Sequence, residues 1–201
     1  MTASSVAASH PAMPPNAPRI GGAVTRALGR AILRLGGWRI VGAFPDIPRM
    51  VIIVAPHSSA WDAIWGLAAK LAMGVDIVFL AKAELFRGPV GWVLRWLGGR
   101  PVNRSRAHGV VEQAVDTLRK RDRRWLVLAP EGTRRRVETW KSGFRHIARA
   151  AQVPVFCAAF HYPDRQIILG EVFAMTDDAE ADMARIRRWY RPFVGKNRGT
   201  V

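Results

Sequence analysis

Apolar positions along the chain follow two different periods. Over 22–35 they recur every three to four residues, placing Val24, Leu28, Ala31, Ile32 and Leu35 on one helical face and Arg26, Arg30 and Arg34 on the other, with Leu33 off the stripe. Gly36-Gly37 follows as a helix stop. Beyond it, short β-rich runs at 50–55, 76–81, 124–129, 153–160 and 166–173 alternate with helical stretches at 60–73, 90–97, 107–121, 142–151 and 178–190. This alternation predicts an α/β fold: a single domain with a mixed, largely parallel β-sheet flanked by helices and preceded by an amphipathic N-terminal helix. No repeat at a fixed period and no long internal linker divides the chain.

At 201 residues, about half of them apolar, one compact core is the expectation. Segment 1–18, rich in Ser, Ala and Pro, lacks the continuous apolar middle of a secretory signal peptide and reads as a disordered lead. Segment 19–37 reads as an amphipathic helix able to lie in a lipid headgroup plane, arginines against phosphates and apolar stripe toward the acyl chains. The alternative is a helix packed on the domain with its arginine face in solvent. Asp62, Lys70 and Asp76 interrupt the most apolar stretch, so no run is long enough to cross a bilayer and membrane contact is expected to be peripheral.

The formal charge of +16 predicts an anionic partner: nucleic acid, anionic lipid or a phosphorylated substrate. Eight tryptophans weigh toward lipid, because indole favours the membrane interface, although it serves equally as core material. A zinc spacing, an aromatic RNA-binding signature and a helix-turn-helix pattern are all missing, which argues against nucleic acid. Cys157 is the only cysteine, so no internal disulfide forms, and its apolar surroundings predict a buried structural thiol. The histidines show no metal-ligand spacing with Cys157 or the acids.

The most informative segment is Ala55-Pro56-His57-Ser58-Ser59-Ala60-Trp61-Asp62, between an apolar strand and a helical pattern. With Ser58 or Ser59 as helix cap, Asp62 falls in the first helical turn and can fold back to the His57 imidazole. A carboxylate on one ring nitrogen fixes the tautomer and leaves the other to accept a proton from a hydroxyl. The hydroxyl can be the substrate's own, so that an alcohol attacks a thioester without a covalent enzyme intermediate. Two further segments accompany this pair: Glu131-Gly132-Thr133-Arg134 after the apolar strand, and Gly98-Gly99-Arg100-Pro101-Val102-Asn103-Arg104 after an apolar helix.

On these residues the chain resembles the glycerolipid acyltransferases, the family of the lysophosphatidic acid acyltransferases. The His-x-x-x-x-Asp block is His57 with Asp62, the Gly-x-x-x-x-Arg block Gly99 with Arg104, and the third block Glu131, Gly132, Thr133 and Arg134. The fourth is the apolar strand with an internal proline, Val153-Pro154-Val155. The resemblance runs over 38–173 and implies that 38–201 is an acyltransferase domain. It implies transfer of a fatty acyl group from acyl-CoA or acyl carrier protein, used as co-substrate with no cofactor, to a lysophospholipid hydroxyl, first among them 1-acylglycerol-3-phosphate. His57 would be the base, Asp62 its partner, Arg104 the contact to the acceptor's phosphate, and Glu131, Gly132, Thr133 and Arg134 the acceptor-binding segment. It further implies an anionic membrane surface as partner, at the cytoplasmic face of the inner membrane; the oligomeric state is open.

Three positions depart from the family pattern: Asn103 where aspartate is frequent, Arg135 where serine often follows, and Cys157 in place of a second proline. They bear on the acceptor, so another lysophospholipid or an amino-lipid stands as the alternative. A hydrolase is disfavoured by the lack of a Gly-x-Ser-x-Gly elbow. Glu131 paired with Arg134 on the surface, and Ser58 and Ser59 as simple caps, are the plainer readings of those residues.

Overall fold

The computed structural model describes residues 12–102, 107–135 and 137–197, with backbone alone at 107 and 108. The elements run α1 (Ala23–Leu35), β1 (Arg39–Gly42), β2 (Arg49–Ala55), α2 (Trp61–Met73), β3 (Ile77–Lys82), a 3-10 turn (Ala83–Phe86), α3 (Gly88–Trp96), β4 (Gly99–Val102), α4 (Ala107–Arg119), β5 (Arg124–Leu128), α5 (Gly143–Ala151), β6 (Val155–His161), β7 (Gln166–Phe173) and α6 (Ala179–Tyr190). One sheet in the order β1-β7-β6-β2-β5-β3-β4 holds all the strands. Every neighbouring pair is parallel except the β6–β7 hairpin. This is the expected single α/β domain with a mixed, largely parallel sheet.

Side-chain alternation along the strands divides the core in two. Met50 and Ile52 of β2, Trp125 of β5, and Phe156, Ala158 and Phe160 of β6 face α1 and α2, where they meet Leu33, Ala68, Ala69, Ala72 and Met73. Their neighbours Val51, Ile53, Ala55, Leu126, Cys157 and Ala159 face α4, α5 and α6. Right-handed crossovers require this partition: β2-α2-β3 and β3-α3-β4 step one way along the sheet, whereas β4-α4-β5 and β5-α5-β6 step back. Hence α1, α2 and α3 share one side, and α4, α5 and α6 the other.

Two strands escaped the sequence reading. β1 and β4 have four residues each and occupy the two edges; β1 is mostly exposed, and β4 carries Pro101, so neither has an alternating apolar signature. Pro154 precedes β6 instead of lying inside it, and its carbonyl accepts from Val51 N–H at 3.0 Å. The expected lead of 1–18 needs correction at its end, since residues 12–18 are packed on the domain: Ala17 is fully buried and Asn16 bonds to the Asp46 carboxylate through its backbone N–H (2.8 Å) and its amide (3.1 Å). Proline-rich extended chain has no hydrophobic period, so composition alone misreads it as unstructured.

Helix α1 docks by the face opposite to the one its stripe suggests. Leu33, off the stripe, is buried, and so is Gly29, where an added Cβ would lie 2.3 Å from Ala72 N. The backbones of α1 and α2 therefore touch, and Val24, Leu28 and Leu35 are left exposed. On the same side of the sheet, α3 exposes Val90, Trp92, Val93 and Trp96.

Lys70 of α2 joins these layers from within. It is 4% exposed, and its Nζ donates to Ile77 O at 2.7 Å and to Leu97 O, tying the start of β3 to the end of α3. Burial pushes its ammonium down to about 8, with Asp76 opposing and Arg124 and Arg100 adding to the shift. The folded value lies below the ordinary 10.5, so the unfolded chain holds the extra proton between the two, and stability from this group rises with pH across that window. We expect the melting temperature of the wild type to gain on that of Lys70→Met as pH rises from 8 to 10.5, in parallel thermal melts; equal slopes would remove Lys70 from the account.

Candidate active site

β2 ends at Ala55, between β6 and β5, and the loop Pro56-His57-Ser58-Ser59-Ala60 carries the chain into α2. Ligand-facing loops of parallel sheets gather at this carboxyl edge. Asp62 lies in the first turn of α2 with its side chain fully buried. Its Oδ2 accepts from Ser58 N–H (2.8 Å), Ser59 N–H (2.9 Å) and His57 Nδ1 (3.2 Å), and its Oδ1 accepts from Tyr162 O–H at 2.5 Å. The His57 ring keeps 28% of its surface exposed. The ring thus turns Nδ1 to Asp62.

Burial by itself would raise the Asp62 carboxyl, but hydrogen bonds from His57, Tyr162 and Ser59 N–H outweigh it and hold the group below its ordinary value. The Asp62 side chain is therefore a carboxylate set against Nδ1 of the His57 ring, an arrangement that suits a general base. The capping expectation holds in part for Ser59, whose Oγ accepts from Trp61 N–H at 3.3 Å, and fails for Ser58, whose Oγ meets the Lys196 and Asn197 amides. Ala60 takes the N-cap position without a side-chain bond, and the carboxylate reaches back from the helix to the two serine amides.

Glu131 follows β5, the strand beside β2, and is 2% exposed. Its Oε2 accepts from the His57 backbone N–H at 3.1 Å, which fastens the two strand ends together. The surface pairing of Glu131 with Arg134 is thus set aside: Glu131 points inward and Arg134 is exposed. Gly132 has φ +66°, and a side chain there would meet Lys141 as well. Thr133 Oγ1 accepts from Arg135 N–H at 3.2 Å, closing the turn. The structure thus brings His57, Asp62 and Glu131 together, with Gly132, Thr133 and Arg134 on the turn beyond Glu131. Arg104 lies outside the described residues.

Several participants left no trace in the sequence pattern. Tyr162, at the start of the β6–β7 turn, is one. Tyr190 of α6 is another: fully buried, its single O–H is shared between Ile53 O (2.7 Å) and Ala158 O (3.0 Å), bracing β2 and β6. The third is the C-terminal segment, in which Lys196 N–H and Asn197 N–H point at Ser58 Oγ (2.9 and 3.4 Å) and Asn197 Nδ2 donates to Ser58 O at 3.0 Å. All three are long-range contacts, invisible to local spacing.

The family model described as Acyltransferase matches residues 44–161, the span that carries every one of these site residues except the C-terminal segment and Tyr162 with Tyr190. This chain belongs to the acyltransferase family. It is similar to a 1-acyl-sn-glycerol-3-phosphate acyltransferase of Streptococcus pneumoniae (strain ATCC BAA-255 / R6), 30% identical over 121 residues, which are 59% of this chain and 44% of that protein. It is also similar to the enzyme of the same name from Escherichia coli (strain K12), 32% identical over 111 residues, 52% of this chain and 44% of that protein. The matched region thus spans less than half the length of either relative. Among solved structures, the 1-acyl-sn-glycerophosphate (LPA) acyltransferase PlsC from Thermotoga maritima shares the fold, with TM-score 0.60 and 18% identity over 81% of this chain and 72% of that one.

Within this chain the hydroxyls beside His57 are otherwise engaged. Ser58 Oγ receives the C-terminal amides, and Ser59 Oγ accepts from Trp61 N–H at 3.3 Å. Cys157 is fully buried in β6, and burial pushes its thiol well above the ordinary value, which denies it a thiolate. We expect Ser58→Ala to leave the Lys196 and Asn197 amides without their acceptor at a cost of about 1 kcal/mol. Hydrogen exchange should then accelerate at those two amides while the strands stay protected; unchanged exchange there would show that the contact does not hold the segment.

Proposed function

We propose that this acyltransferase moves a fatty acyl group from the thioester of acyl-CoA or acyl carrier protein to the hydroxyl of a lysophospholipid, 1-acylglycerol-3-phosphate before others. The observation that carries the reading is the buried, multiply bonded Asp62 carboxylate against Nδ1 of a partly exposed His57 at the carboxyl edge of the sheet. The similarity to two 1-acyl-sn-glycerol-3-phosphate acyltransferases favours this acceptor.

In this mechanism His57 Nε2 takes the proton of the acceptor hydroxyl as its oxygen attacks the thioester carbonyl. Asp62 steadies the imidazolium that forms. Collapse of the tetrahedral intermediate breaks the C–S bond, and the departing thiolate receives the proton from Nε2, which restores the neutral imidazole. A positioned base of this kind contributes roughly 10² to 10⁴ in rate. Glu131 keeps the His57 backbone in place, and the exposed Arg134, joined by Arg104, supplies guanidinium donors to the acceptor's phosphate.

The protein is further proposed to work at an anionic membrane surface, through the side of the sheet that carries α1, α2 and α3. Val24, Leu28 and Leu35 of α1, Trp61 and Ile64 of α2, Leu85, and Val90, Trp92, Val93 and Trp96 of α3 are all exposed there. An apolar surface this extensive, set in a chain of net charge +16, fits a bilayer with acidic headgroups. Placement at the cytoplasmic face of the inner membrane is proposed with it, on the family resemblance alone.

Purified protein should convert labelled acyl donor and 1-acylglycerol-3-phosphate into labelled diacyl product, with donors and acceptors varied in parallel. His57→Ala should lower turnover by about 10² or more; turnover close to wild type, or free fatty acid as the sole product, would overturn the mechanism. For the membrane face, Trp92→Cys labelled with a polarity-sensitive fluorophore should shift to the blue on vesicles containing phosphatidylglycerol. The buried Cys157 leaves the new thiol as the labelling site. An unchanged spectrum would remove α3 from the membrane.

A further inference from the structure

The Asp62 carboxylate has two oxygens with different neighbours. Oδ2 serves His57 and the two serine amides, all from its own loop, whereas Oδ1 meets Tyr162 O–H, 100 residues further along the chain, at 2.5 Å. Tyr162 lies outside the four motif blocks and one residue past the span that the family model matches. Its position is set independently of Asp62. The backbone N–H donates to Val194 O at 2.9 Å, its carbonyl accepts from Arg165 N–H at 3.1 Å in the hairpin turn, and its ring meets Trp38 edge-on, with centroids 4.8 Å apart. Trp38 in turn stacks on Trp65 of α2 at 5.3 Å. The hydroxyl is thus presented from a rigid mount.

We infer that Tyr162 is a positioning residue for acyl transfer, its hydroxyl fixing the rotation of the Asp62 carboxylate so that Oδ2 faces His57 Nδ1. The inference rests on the proposed general-base role of the pair. A carboxylate turns about its terminal torsion across a broad, roughly two-fold well, so the loop amides and the imidazole alone leave it a range of orientations. A donor on the far oxygen narrows that range. It also gives Oδ1 a partner in a place without solvent, where an unmet carboxylate oxygen would be costly. The Tyr162 hydroxyl acts through Asp62, so its removal should act on the chemical step and spare binding.

Tyr162→Phe keeps the ring and its packing on Trp38 while deleting the hydroxyl. In the wild-type background this variant should lose roughly tenfold or more in kcat while KM for donor and acceptor stays within about twofold, since misorientation of a catalytic group costs rate and not affinity. The downfield proton resonance of His57 Nδ1–H, identified by its loss in His57→Ala, should move or broaden. Incorporation of 4-fluorophenylalanine at 162, which fills the space of the hydroxyl without donating to Asp62, should lose kcat in the same way and alter the resonance, and it serves as the test should Tyr162→Phe fold poorly in a thermal melt. An unaltered kcat and resonance in Tyr162→Phe, or a loss carried by KM, would overturn the inference. If the wild type itself shows no acyl transfer, the proposed function fails while the resonance still reports whether Tyr162 orients the pair.

Discussion

A carboxylate with no access to water survives as an anion only if donors meet it, and Asp62 is met from every direction. Two amides and an imidazole come from the loop that precedes it, and a phenol comes from the β6–β7 turn. The charge therefore dictates the path of the loop: Ser58 and Ser59 must turn their N–H groups inward, and that turn aims His57 outward to the edge where a substrate can reach it. The apparent cost of burying an acid is offset by the local structure that the acid organises.

The sheet supplies the frame in which this can happen. Because β2 runs between β5 and β6 and parallel to both, the ends of three strands arrive together, and the residues just past them become neighbours. His57 comes from β2, Glu131 from β5 and Tyr162 from β6. Tyr190 braces the same two strands, its hydroxyl set between the carbonyls of Ile53 in β2 and Ala158 in β6. Around this point the two sides of the domain differ in character. α4, α5 and α6 cover a core cluster, whereas α1 and α2 cover the other, and α1, α2 and α3 turn indole and aliphatic side chains outward.

Helix α1 illustrates how a correct periodicity can be assigned to the wrong neighbour. Its apolar stripe is real, yet the helix packs through Gly29 and Leu33, because close backbone contact with the alanines of α2 needs a small residue and not a large apolar one. Of the stripe, Val24, Leu28 and Leu35 stay exposed, and Ile32 is partly buried against the core. The tryptophans divide in the same fashion: Trp38, Trp125 and Trp140 are core residues, while Trp61, Trp92 and Trp96 are exposed. Composition suggested both uses and could not apportion them.

The sequence by itself determined the α/β class, five of the seven strands and the pairing of His57 with Asp62, since each is encoded within a few residues, by a period of two or of nearly four or by one turn of helix. Tertiary structure alone decided the rest. The edge strands β1 and β4 are too short to carry a period; Glu131 is turned inward to the His57 backbone by the pairing of β5 with β2; and Tyr162 and the C-terminal amides reach the site across 100 residues or more. Local spacing records only what neighbours along the chain can do to one another, and the remaining contacts come into being when the strands align.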